Sequence, residues 1–325
     1  QAAVLVVAVG EGLMPQTKEH RAILDLMHVP RLVVALTKID LREDEAWAGL
    51  VEEDVGRLLG STAYAGSPVF RVSARSGVGL AALRSALQSS LAQSAAPRDL
   101  GRPRLPVDRA FVMSGFGAVV TGTLLDGSLA VGDEILVLPQ QVRGRIRGLQ
   151  THRRAVERAS PGSRVAVNIA GIDVHHLARG QVIVTPGNYT PTSRLDCYLS
   201  LLSDAPVPLR HAQSLKVYLG TADVIANVRL LDGDEVRPGG SAWVQLVTEK
   251  PVVATEQDRF ILRRPAPPAT LGGGEVVIPL ALRAHRRRDP RTLEMLERLR
   301  HGGPGGLGLA ALAQRGGGRL GRGVG

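Results

Sequence analysis

Apolar runs alternate with amphipathic stretches over the first part of the chain. The runs are AVLVVAV at 3–9, RLVVAL at 31–36 and PVFRVSA at 68–74, and the stretches that follow them have helical periodicity. Runs rich in Val and Leu that are separated by helices are typical of parallel strands buried on both faces. The pattern therefore predicts a doubly wound α/β sheet.

The first apolar run begins at the very start of the chain. A central parallel strand needs a neighbour on each side and a covering helix, and no preceding residues are available to form them. We therefore expect the chain to begin inside a domain. It would then hold either the rear half of an α/β domain or an unusually small sheet.

The hydrophobic pattern changes to a period of two after a linker rich in Ser, Ala and Pro at 94–106. Six short runs separated by Gly, Pro and Asp lie at 109–185, and six more lie at 194–279. Runs of this length and spacing indicate all-β barrels. We predict two barrels in series that meet near residue 188, within the break TPGNYTPTS at 185–193.

The last segment is basic and helical at first. Pro290 is placed to open a helix, and Leu293, Leu296 and Leu299 give that helix an apolar stripe. Residues 301–325 then contain 11 Gly, so this tail is either the start of another domain or a disordered end. The predicted domain bounds are 1–96, 97–187, 188–282 and 283–325.

Composition narrows the class of protein. Of the 325 residues, 44% are hydrophobic, which is enough to fill real cores. No apolar run reaches the length of about 18 residues that a membrane span needs, so we expect no membrane partner. The lone Cys197 cannot form an intramolecular disulfide, and the N-terminus has no targeting pattern, so we expect a reducing, cytoplasmic location.

The formal charge of +10 favours an anionic partner such as nucleic acid. However, 36 of the 40 cationic residues are Arg, a bias that a GC-rich genome also produces. Residues 99–187 carry 11 basic against 7 acidic side chains and residues 283–325 carry 10 against 3, whereas residues 1–98 carry ten of each. The excess therefore lies in the first predicted barrel and in the tail.

Two motifs follow the second and third predicted strands. TKID at 37–40 and SARSGVGL, which begins at Ser73, both fall at carboxyl ends of parallel strands, where open α/β sheets bind ligands. A carboxylate at Asp40 can accept the N1 and N2 protons of guanine, while the Lys38 stem packs along the base. The backbone N–H groups of Ser73 and Ala74 can donate to the guanine O6. Adenine presents the opposite edge, so the pair of motifs favours guanine.

Each motif also has another interpretation. Asp40 alone is a common way to begin a helix. GVGLAA at 77–82, with Asp99 downstream of Gly79, superficially matches a dinucleotide-binding fingerprint. However, Asp99 lies in the linker, and no second strand delivers it to a ribose. The two motifs together favour guanine binding.

Several long stretches carry the signature of one superfamily. VAVGEGLMPQTKEHRAILDLMHVPRLVVALTKIDL and SARSGVGL resemble the rear half of the GTP-binding domain of elongation factor Tu-like translational GTPases. RAFVMSGFGAVVTGTLLDGSLAVGDEILVLP resembles their second domain and RFILRRPAPPATLGGGEVVIP their third. Within that superfamily, PVDRAF, SRVAVNIAG and a C-terminal extension resemble the selenocysteine-specific elongation factors. The resemblance covers about residues 1–300.

The resemblance implies a fold, an activity and partners. The fold is multi-domain, with part of an α/β phosphate-loop GTPase domain followed by two β-barrels and the start of a winged-helix region. The full-length protein would be a monomeric GTPase that uses GTP and Mg²⁺ and delivers selenocysteinyl-tRNA to the ribosome. Its C-terminal region would bind a messenger RNA hairpin. Thr37, Lys38 and Asp40 match the guanine-specificity motif, with Thr where many members carry Asn, and Ser73 and Ala74 match the last guanine-binding loop.

Asp108, Arg109 and Arg164 match positions that line the aminoacyl pocket of the selenocysteine-specific factors. A selenol is largely ionised at neutral pH, whereas a serine hydroxyl is not. Paired guanidinium groups would favour the selenolate, with Asp108 holding one of them or accepting from the aminoacyl ammonium. The alternative is an ion pair on a barrel surface, which contributes little.

Three motifs of the superfamily do not occur in the chain. These are the G-x-x-x-x-G-K-[ST] phosphate loop, the magnesium-binding threonine segment and the segment with the catalytic histidine. Without the phosphate loop, no backbone nest or Lys is available for the β- and γ-phosphates. We therefore expect no catalytic residue and no GTP hydrolysis in these residues alone, and Mg²⁺ ligands outside them.

Other features have two interpretations each. The triplet Arg286 to Arg288 either contacts RNA phosphates or solvates a connector. His20 is interpreted as a helix-surface or packing residue and the pair His175–His176 as a loop, rather than as catalytic or metal sites. Two rival functions are a general elongation factor Tu-like GTPase, without a cationic pocket or an extension, and a GTP-independent RNA-binding module of two barrels.

Overall fold

The first part of the chain folds around a three-stranded parallel sheet. A computed structural model of the protein describes residues 2–41, 45–115 and 117–302, and the chain divides into two compact units, Gln1–Ala96 and Pro97–Gly325. The elements of the first unit are β1 (Ala3–Ala8), α1 (Pro15–Leu26), β2 (Leu32–Thr37), a 3-10 helix at Ile39–Leu41, α2 (Glu45–Gly60), β3 (Val69–Arg71) and α3 (Leu80–Ala92). The strands are parallel in the order β1-β2-β3, which confirms the predicted α/β fold.

The three strands are not buried alike. Every residue from Leu32 to Leu36 in β2 is buried, as the sequence predicts. In β1, Leu5 and Val7 are buried against α2, but Val4 and Val6 are 41% and 59% exposed. The prediction of burial on both faces is therefore wrong for β1. This strand lies at an edge of the sheet, and the described helices leave one of its faces uncovered.

The second unit opens with a barrel whose interior is filled by alternate apolar side chains. Its strands are β4 (Arg104–Met113), β5 (Gly117–Thr123), β6 (Leu129–Ala130), β7 (Glu134–Leu138), β8 (Val142–Thr151), β9 (Arg154–Val156), β10 (Arg158–Ala159), β11 (Arg164–Ala170) and β12 (Val182–Val184). Six of them form a ring in the order β11-β5-β4-β12-β7-β8. The ring is closed because β8 pairs with β11. Val107, Val120, Ile146 and Val167 are among its buried core residues.

A second six-stranded barrel follows directly. Its strands are β13 (Thr192–Leu201), β14 (Leu209–Arg210), β15 (Gln213–Leu219), β16 (Ala222–Leu230), β17 (Glu235–Val236), β18 (Ser241–Val252), β19 (Arg259–Arg264) and β20 (Ala269–Ile278). The ring order is β13-β18-β16-β15-β19-β20, closed by β13 and β20. Each of the twelve predicted runs lies in one ring strand, so the two-barrel prediction is confirmed. Cys197 is fully buried in this core, and burial raises the pKa of its thiol.

The helix α4 (Pro290–His301) packs against the outside of the second barrel. Pro290 occupies its first turn, and the Asp289 side chain caps it by accepting the Thr292 N–H at 3.2 Å. Leu296 is fully buried beside Trp243. The predicted helix is confirmed, whereas the Gly-rich tail from 303 onward lies outside the described residues.

The arginine triplet before α4 is largely bound to this barrel. Arg287 donates to the carbonyl oxygens of Leu230 at 3.0 Å and Gly233 at 2.6 Å. Arg287 and Arg288 both form ion pairs with Asp234. Two of the three arginines therefore attach the connector to the barrel.

One buried arginine joins the two barrels. Arg104, at the start of β4, is 8% exposed and forms an ion pair with Asp126 of its own barrel. It also donates two hydrogen bonds, at 2.7 and 2.6 Å, to the two carboxylate oxygens of Asp258 in the second barrel. Because a bidentate pair has a defined direction, this contact orients one barrel on the other.

Candidate functional sites

The two predicted guanine motifs meet at the carboxyl edge of the parallel sheet. Ser73, which follows β3, donates its hydroxyl hydrogen bond to Asp40 Oδ1 at 2.6 Å. The same hydroxyl accepts the Ser76 N–H at 3.1 Å, and Ser73 is fully buried. The hydrogen bond from Ser73 lowers the pKa of Asp40, so the exposed carboxylate is ionised at neutral pH.

Asp40 does not act as the cap of the following long helix. It lies in the 3-10 helix Ile39–Leu41, whereas α2 begins at Glu45. A carboxylate has about four lone-pair sites, of which Ser73 uses one. The carboxylate of Asp40 can therefore still accept two protons from a base.

The loop after β3 closes on itself and changes the expected set of backbone donors. The Ser73 N–H donates to the Val78 carbonyl oxygen at 3.0 Å, and the Gly77 N–H donates to the Ser73 carbonyl oxygen at 2.9 Å. The expectation that Ser73 N–H is free for a guanine oxygen is therefore wrong. Within the described residues, the Ala74 N–H has no hydrogen-bond partner and remains the available donor.

The first two positions of TKID have different roles in the structure. Thr37 donates its hydroxyl to the Val7 carbonyl oxygen at 3.4 Å, a contact between β2 and β1. Lys38 adopts a left-handed backbone conformation, with φ of 61°, and its Nζ lies 3.0 Å from Glu11 Oε1. The sequence reasoning missed Glu11, although its place just after β1 puts it at the same sheet edge as Lys38.

The glycines and the aspartate of the apparent dinucleotide fingerprint have structural roles. Gly79 precedes α3 with φ of 73°, and a Cβ there would lie 2.0 Å from the Arg71 carbonyl oxygen. Asp99 accepts hydrogen bonds from the Ser128 hydroxyl at 2.7 Å and from the Gly101 N–H at 2.9 Å. The lack of a Cβ at Gly79 thus allows the residue before α3 to approach the end of β3 closely, and the structure offers no support for dinucleotide binding.

The structure brings Asp108 and Arg164 together on the outer face of the first barrel. The pairing of β4 with β5 shifts register between Val107 and Arg109, so Asp108 is the extra residue of a β-bulge. A bulge turns a side chain away from the regular alternation. Here the Arg164 Nη1 donates to Asp108 Oδ2 at 2.6 Å, and the Thr121 hydroxyl donates to Asp108 Oδ1 at 2.6 Å.

The charge balance at this site keeps Asp108 ionised. Partial burial alone would raise the pKa of Asp108, but hydrogen bonds from Arg164 and Thr121, together with the positive charge of Arg109, lower it overall. Arg109 is exposed beside the bulge. The Arg164 side chain is 59% exposed, so its guanidinium is held by Asp108 yet reachable from solvent.

A cavity of about 380 Å³ lies along the same outer face. Ala166 and Asn168, which follow Arg164 at alternate positions on β11, form part of its lining, as do Phe111 and Arg147. The Asn168 Oδ1 atom is buried without a hydrogen-bond partner in the described part of the chain. The sequence did not predict the role of Thr121 or this cavity. Both depend on the register of β4, β5, β8 and β11, which brings residues that are distant in the sequence together.

The three histidines that the sequence singled out, His20, His175 and His176, are exposed. His20 is exposed on α1, and His175 and His176 are in a short 3-10 helix at Val174–His176. Among residues 2–41, 45–115 and 117–302, no three His, Cys, Asp or Glu side chains are grouped so that they could hold a metal ion. No helix in these residues is long and apolar enough to cross a membrane.

Three family models match successive parts of the chain. Residues 1–93 match the elongation factor Tu GTP binding domain, residues 117–184 match elongation factor Tu domain 2, and residues 196–282 match the beta-barrel domain of the selenocysteine-specific elongation factor. Part of an α/β domain followed by two barrels is the domain order of elongation factor Tu-like translation factors.

Individual proteins give a narrower assignment. The chain is 38% identical to a selenocysteine-specific elongation factor of Desulfomicrobium baculatum over 95% of the chain and 50% of that protein. It is 34% identical to that of Escherichia coli strain K12 over 91% of the chain and 46% of that protein. The chain thus belongs to the family of selenocysteine-specific elongation factors, and it spans about half the length of these curated relatives.

Solved structures agree with this assignment. A bacterial selenocysteine-specific elongation factor, EF-Sec, superposes with a TM-score of 0.80 at 25% identity, over 92% of the chain and 48% of that structure. Translation elongation factor SelB from Methanococcus maripaludis, in its apo form, superposes with a TM-score of 0.77 at 26% identity, over 85% of the chain and 64% of that structure.

Proposed function

We propose that the protein is a GTP-dependent elongation factor that delivers selenocysteinyl-tRNA to the ribosome. The observation that carries the proposal is the ion pair between Asp108 and Arg164, with Arg109 beside it, on the outer face of the first barrel. One Arg164 nitrogen is held by Asp108, so the remaining guanidinium donors and those of Arg109 can bind a selenolate. A neutral serine hydroxyl gains much less from two cations.

The guanine base would bind at the sheet edge of the first unit. Asp40, held by Ser73, would accept the N1 and N2 protons, and the Ala74 N–H would donate to O6. The matched domain and the family support GTP as the nucleotide. The 325 residues contain no G-x-x-x-x-G-K-[ST] motif, which in phosphate-loop GTPases supplies the backbone N–H groups and the Lys that hold the β- and γ-phosphates. We therefore expect that these 325 residues alone do not hydrolyse GTP.

Thr37, Lys38 and Ser73 would act by positioning. Thr37 joins β2 to β1, and Lys38 pairs with Glu11, so both hold the loop that carries Asp40. The messenger RNA hairpin would bind through a C-terminal region, and the factor would act as a cytoplasmic monomer. These points rest on the family resemblance.

Competition between two charged forms of one tRNA tests the function. Selenocysteinyl-tRNA and seryl-tRNA with the same tRNA body are titrated, with GTP, against the full-length protein. We expect tighter binding of the selenocysteinyl form, and Arg164→Ala should abolish the difference. Because exposed Arg179 lies in the same barrel, Arg179→Ala is the matched control and should leave the preference intact.

The rival functions give different results in this assay. Equal affinity for both charged forms would indicate a general elongation factor Tu-like GTPase. Binding that is indifferent to GTP would indicate an RNA-binding module of two barrels. The match of residues 196–282 to the selenocysteine-specific barrel model favours the first proposal over both.

A further inference from the structure

Three polar side chains form a row across the outer face of the second barrel. Asp196 of β13 is paired directly with Gln245 of β18, which is paired directly with Arg229 of β16. The register shift beside Asp196 lies on the other side of β13, toward β20, and does not interrupt this row. The residues on either side of Gln245 belong to the barrel core, so the row faces outward. Even so, Asp196 and Gln245 are fully buried.

The row is buried because the segment that joins β20 to α4 lies over it. This segment, residues 279–289, is called here the connector. His285 of the connector is 7% exposed, and its Nε2 lies 2.7 Å from Asp196 Oδ2. The Arg229 Nη2 donates to the His285 carbonyl oxygen at 3.3 Å. Gln245 Nε2 donates to another carbonyl oxygen of the connector at 3.1 Å, so each member of the row contacts it.

The bonds within the row leave one place for the connector to bind. Gln245 Nε2 donates to Asp196 Oδ1 at 2.8 Å, and Arg229 Nη1 donates to Gln245 Oε1 at 2.7 Å. The second oxygen of Asp196 therefore depends on His285 for its partner. A buried polar atom that loses its partner costs the fold its desolvation, whereas apolar contacts tolerate a shift of position. The network thus favours a single position of the connector.

Further bonds hold the connector on both sides of His285. The Ala281 N–H donates to the Arg194 carbonyl oxygen at 3.2 Å, and the Arg288 N–H donates to the Leu231 carbonyl oxygen at 2.6 Å. Both acceptors belong to the second barrel, and α4, which follows the connector directly, packs on the same barrel. The connector and α4 are therefore attached to one domain along their whole length.

We propose that the Asp196–His285 pair is a latch that holds the connector closed on the second barrel. With the latch closed, the connector and α4 move with this barrel as one body. A change of direction between the barrel and the chain that follows His301 must then occur after α4. The latch is independent of the proposed function, because it involves no residue of the guanine or aminoacyl site.

Hydrogen exchange of the full-length protein, followed by mass spectrometry, tests the latch. Two variants separate the hydrogen bond of His285 from its volume. His285→Leu removes the group that faces Asp196, whereas His285→Gln keeps an amide nitrogen that can replace Nε2. The matched control is His301→Leu. His301 Nε2 also lies 2.8 Å from a carboxylate, that of Glu297, but both of these side chains are exposed.

We expect the amides of the connector and of α4 in the unsubstituted protein to exchange far more slowly than those of an unstructured peptide. His285→Leu should speed exchange of the connector by at least about tenfold, because a buried oxygen without a partner destabilises its closed position. The strand β15 should be unaffected, since the opening is local. His285→Gln should restore most of the protection, and His301→Leu should not change it.

Leu296→Ala separates the latch from the docking of α4. This substitution should speed exchange within α4, where Leu296 is fully buried, and leave the connector protected. If Leu296→Ala opened the connector as far as His285→Leu does, the docked helix and not the latch would hold the connector.

Four other results would contradict the latch. The first, which needs no variant, is exchange of the connector at the rate of an unstructured peptide. The second is equal acceleration by His285→Leu and His301→Leu. The third is equal acceleration of the connector and β15 in His285→Leu, which would mean that His285 supports the whole barrel. The fourth is equal acceleration by His285→Leu and His285→Gln, which would assign the effect to packing of the imidazole ring.

Discussion

At the residue scale, the candidate sites depend on hydrogen bonds between side chains far apart in the sequence. Ser73 holds Asp40 across 33 residues of chain, and Arg164 holds Asp108 across 56. The neutral hydroxyl of Ser73 orients the Asp40 carboxylate, and the cationic guanidinium of Arg164 orients that of Asp108. Both interactions lower the pKa of the carboxyl group, so both carboxylates stay ionised. A carboxylate that is fixed before its ligand arrives loses less freedom on binding.

Ser73→Ala tests the first of these pairs. Because the Ser73 hydroxyl is the main cause of the lowered pKa of Asp40, its removal should raise that pKa toward the ordinary value. A lowered pKa stabilises the fold above the ordinary Asp pKa, and the effect is lost as pH falls through the lowered value. The unsubstituted protein and Ser73→Ala should therefore differ in free energy of unfolding at neutral pH, and this difference should become smaller in acid.

The measurement is an NMR titration of the Asp40 carboxyl carbon, with unfolding followed at several pH values. Ser76→Ala is the control, because it is the Ser76 backbone, not its side chain, that contacts Ser73. An unchanged Asp40 pKa in Ser73→Ala would show that the hydroxyl does not set it.

At the element scale, apolar periodicity located the strands of the parallel sheet and of the two barrel rings. Ring strands with alternating inward residues, such as β11 and β16, match their predicted runs closely. The short strands β6, β9, β10, β14 and β17 were missed, because two or three residues carry no detectable period. The sequence did not predict the bulge at Asp108 either, because a bulge is defined by how β4 pairs with β5 and not by β4 alone.

The docking of α4 on the second barrel gives a prediction at this scale. Leu296 is fully buried beside Trp243, so Leu296→Ala should lower the free energy of unfolding by about 2–5 kcal/mol. The helix itself should persist, because Ala favours helix. Denaturant unfolding followed by tryptophan fluorescence measures the loss.

Leu282→Ala serves as the comparison, because Leu282 is 62% exposed and should change stability by no more than about 0.5 kcal/mol. If both substitutions had the same small effect, α4 would not be packed on the barrel in solution.

At the scale of the second unit, Arg104 couples the two barrels through carboxylates on each. Arg104→Ala leaves Asp126 and Asp258 close together without their cation, which should cost about 3–5 kcal/mol. Arg104→Lys should recover only part of this, because an ammonium cannot replace the bidentate contact. Calorimetry should show the barrels unfolding at lower temperature in Arg104→Ala.

The control is Arg298→Ala, which removes an exposed pair with Glu294 and should have little effect. A similar melting temperature for Arg104→Ala and Arg298→Ala would mean that the barrel contact at Arg104 does not stabilise the unit.

The sequence by itself determined the order and kind of the domains and the motifs that mark the family. Periodicity and turn residues are local properties of the sequence. The motifs TKID and SARSG are local as well, so the sequence alone made Asp40 and Ser73 candidate binding residues. It also made Asp108, Arg109 and Arg164 candidates, through resemblance to a family.

Only the tertiary structure decided how these residues act. Strand register and a bulge place Asp108 against Arg164. In the loop after β3, the Ser73 N–H is bound to the Val78 carbonyl oxygen, whereas the Ala74 N–H has no partner among the described residues. The same register brings Arg147 of β8 and Ala166 and Asn168 of β11 to the wall of one cavity. These features are distances between residues remote in the chain, and such distances follow from which strands pair and in what register.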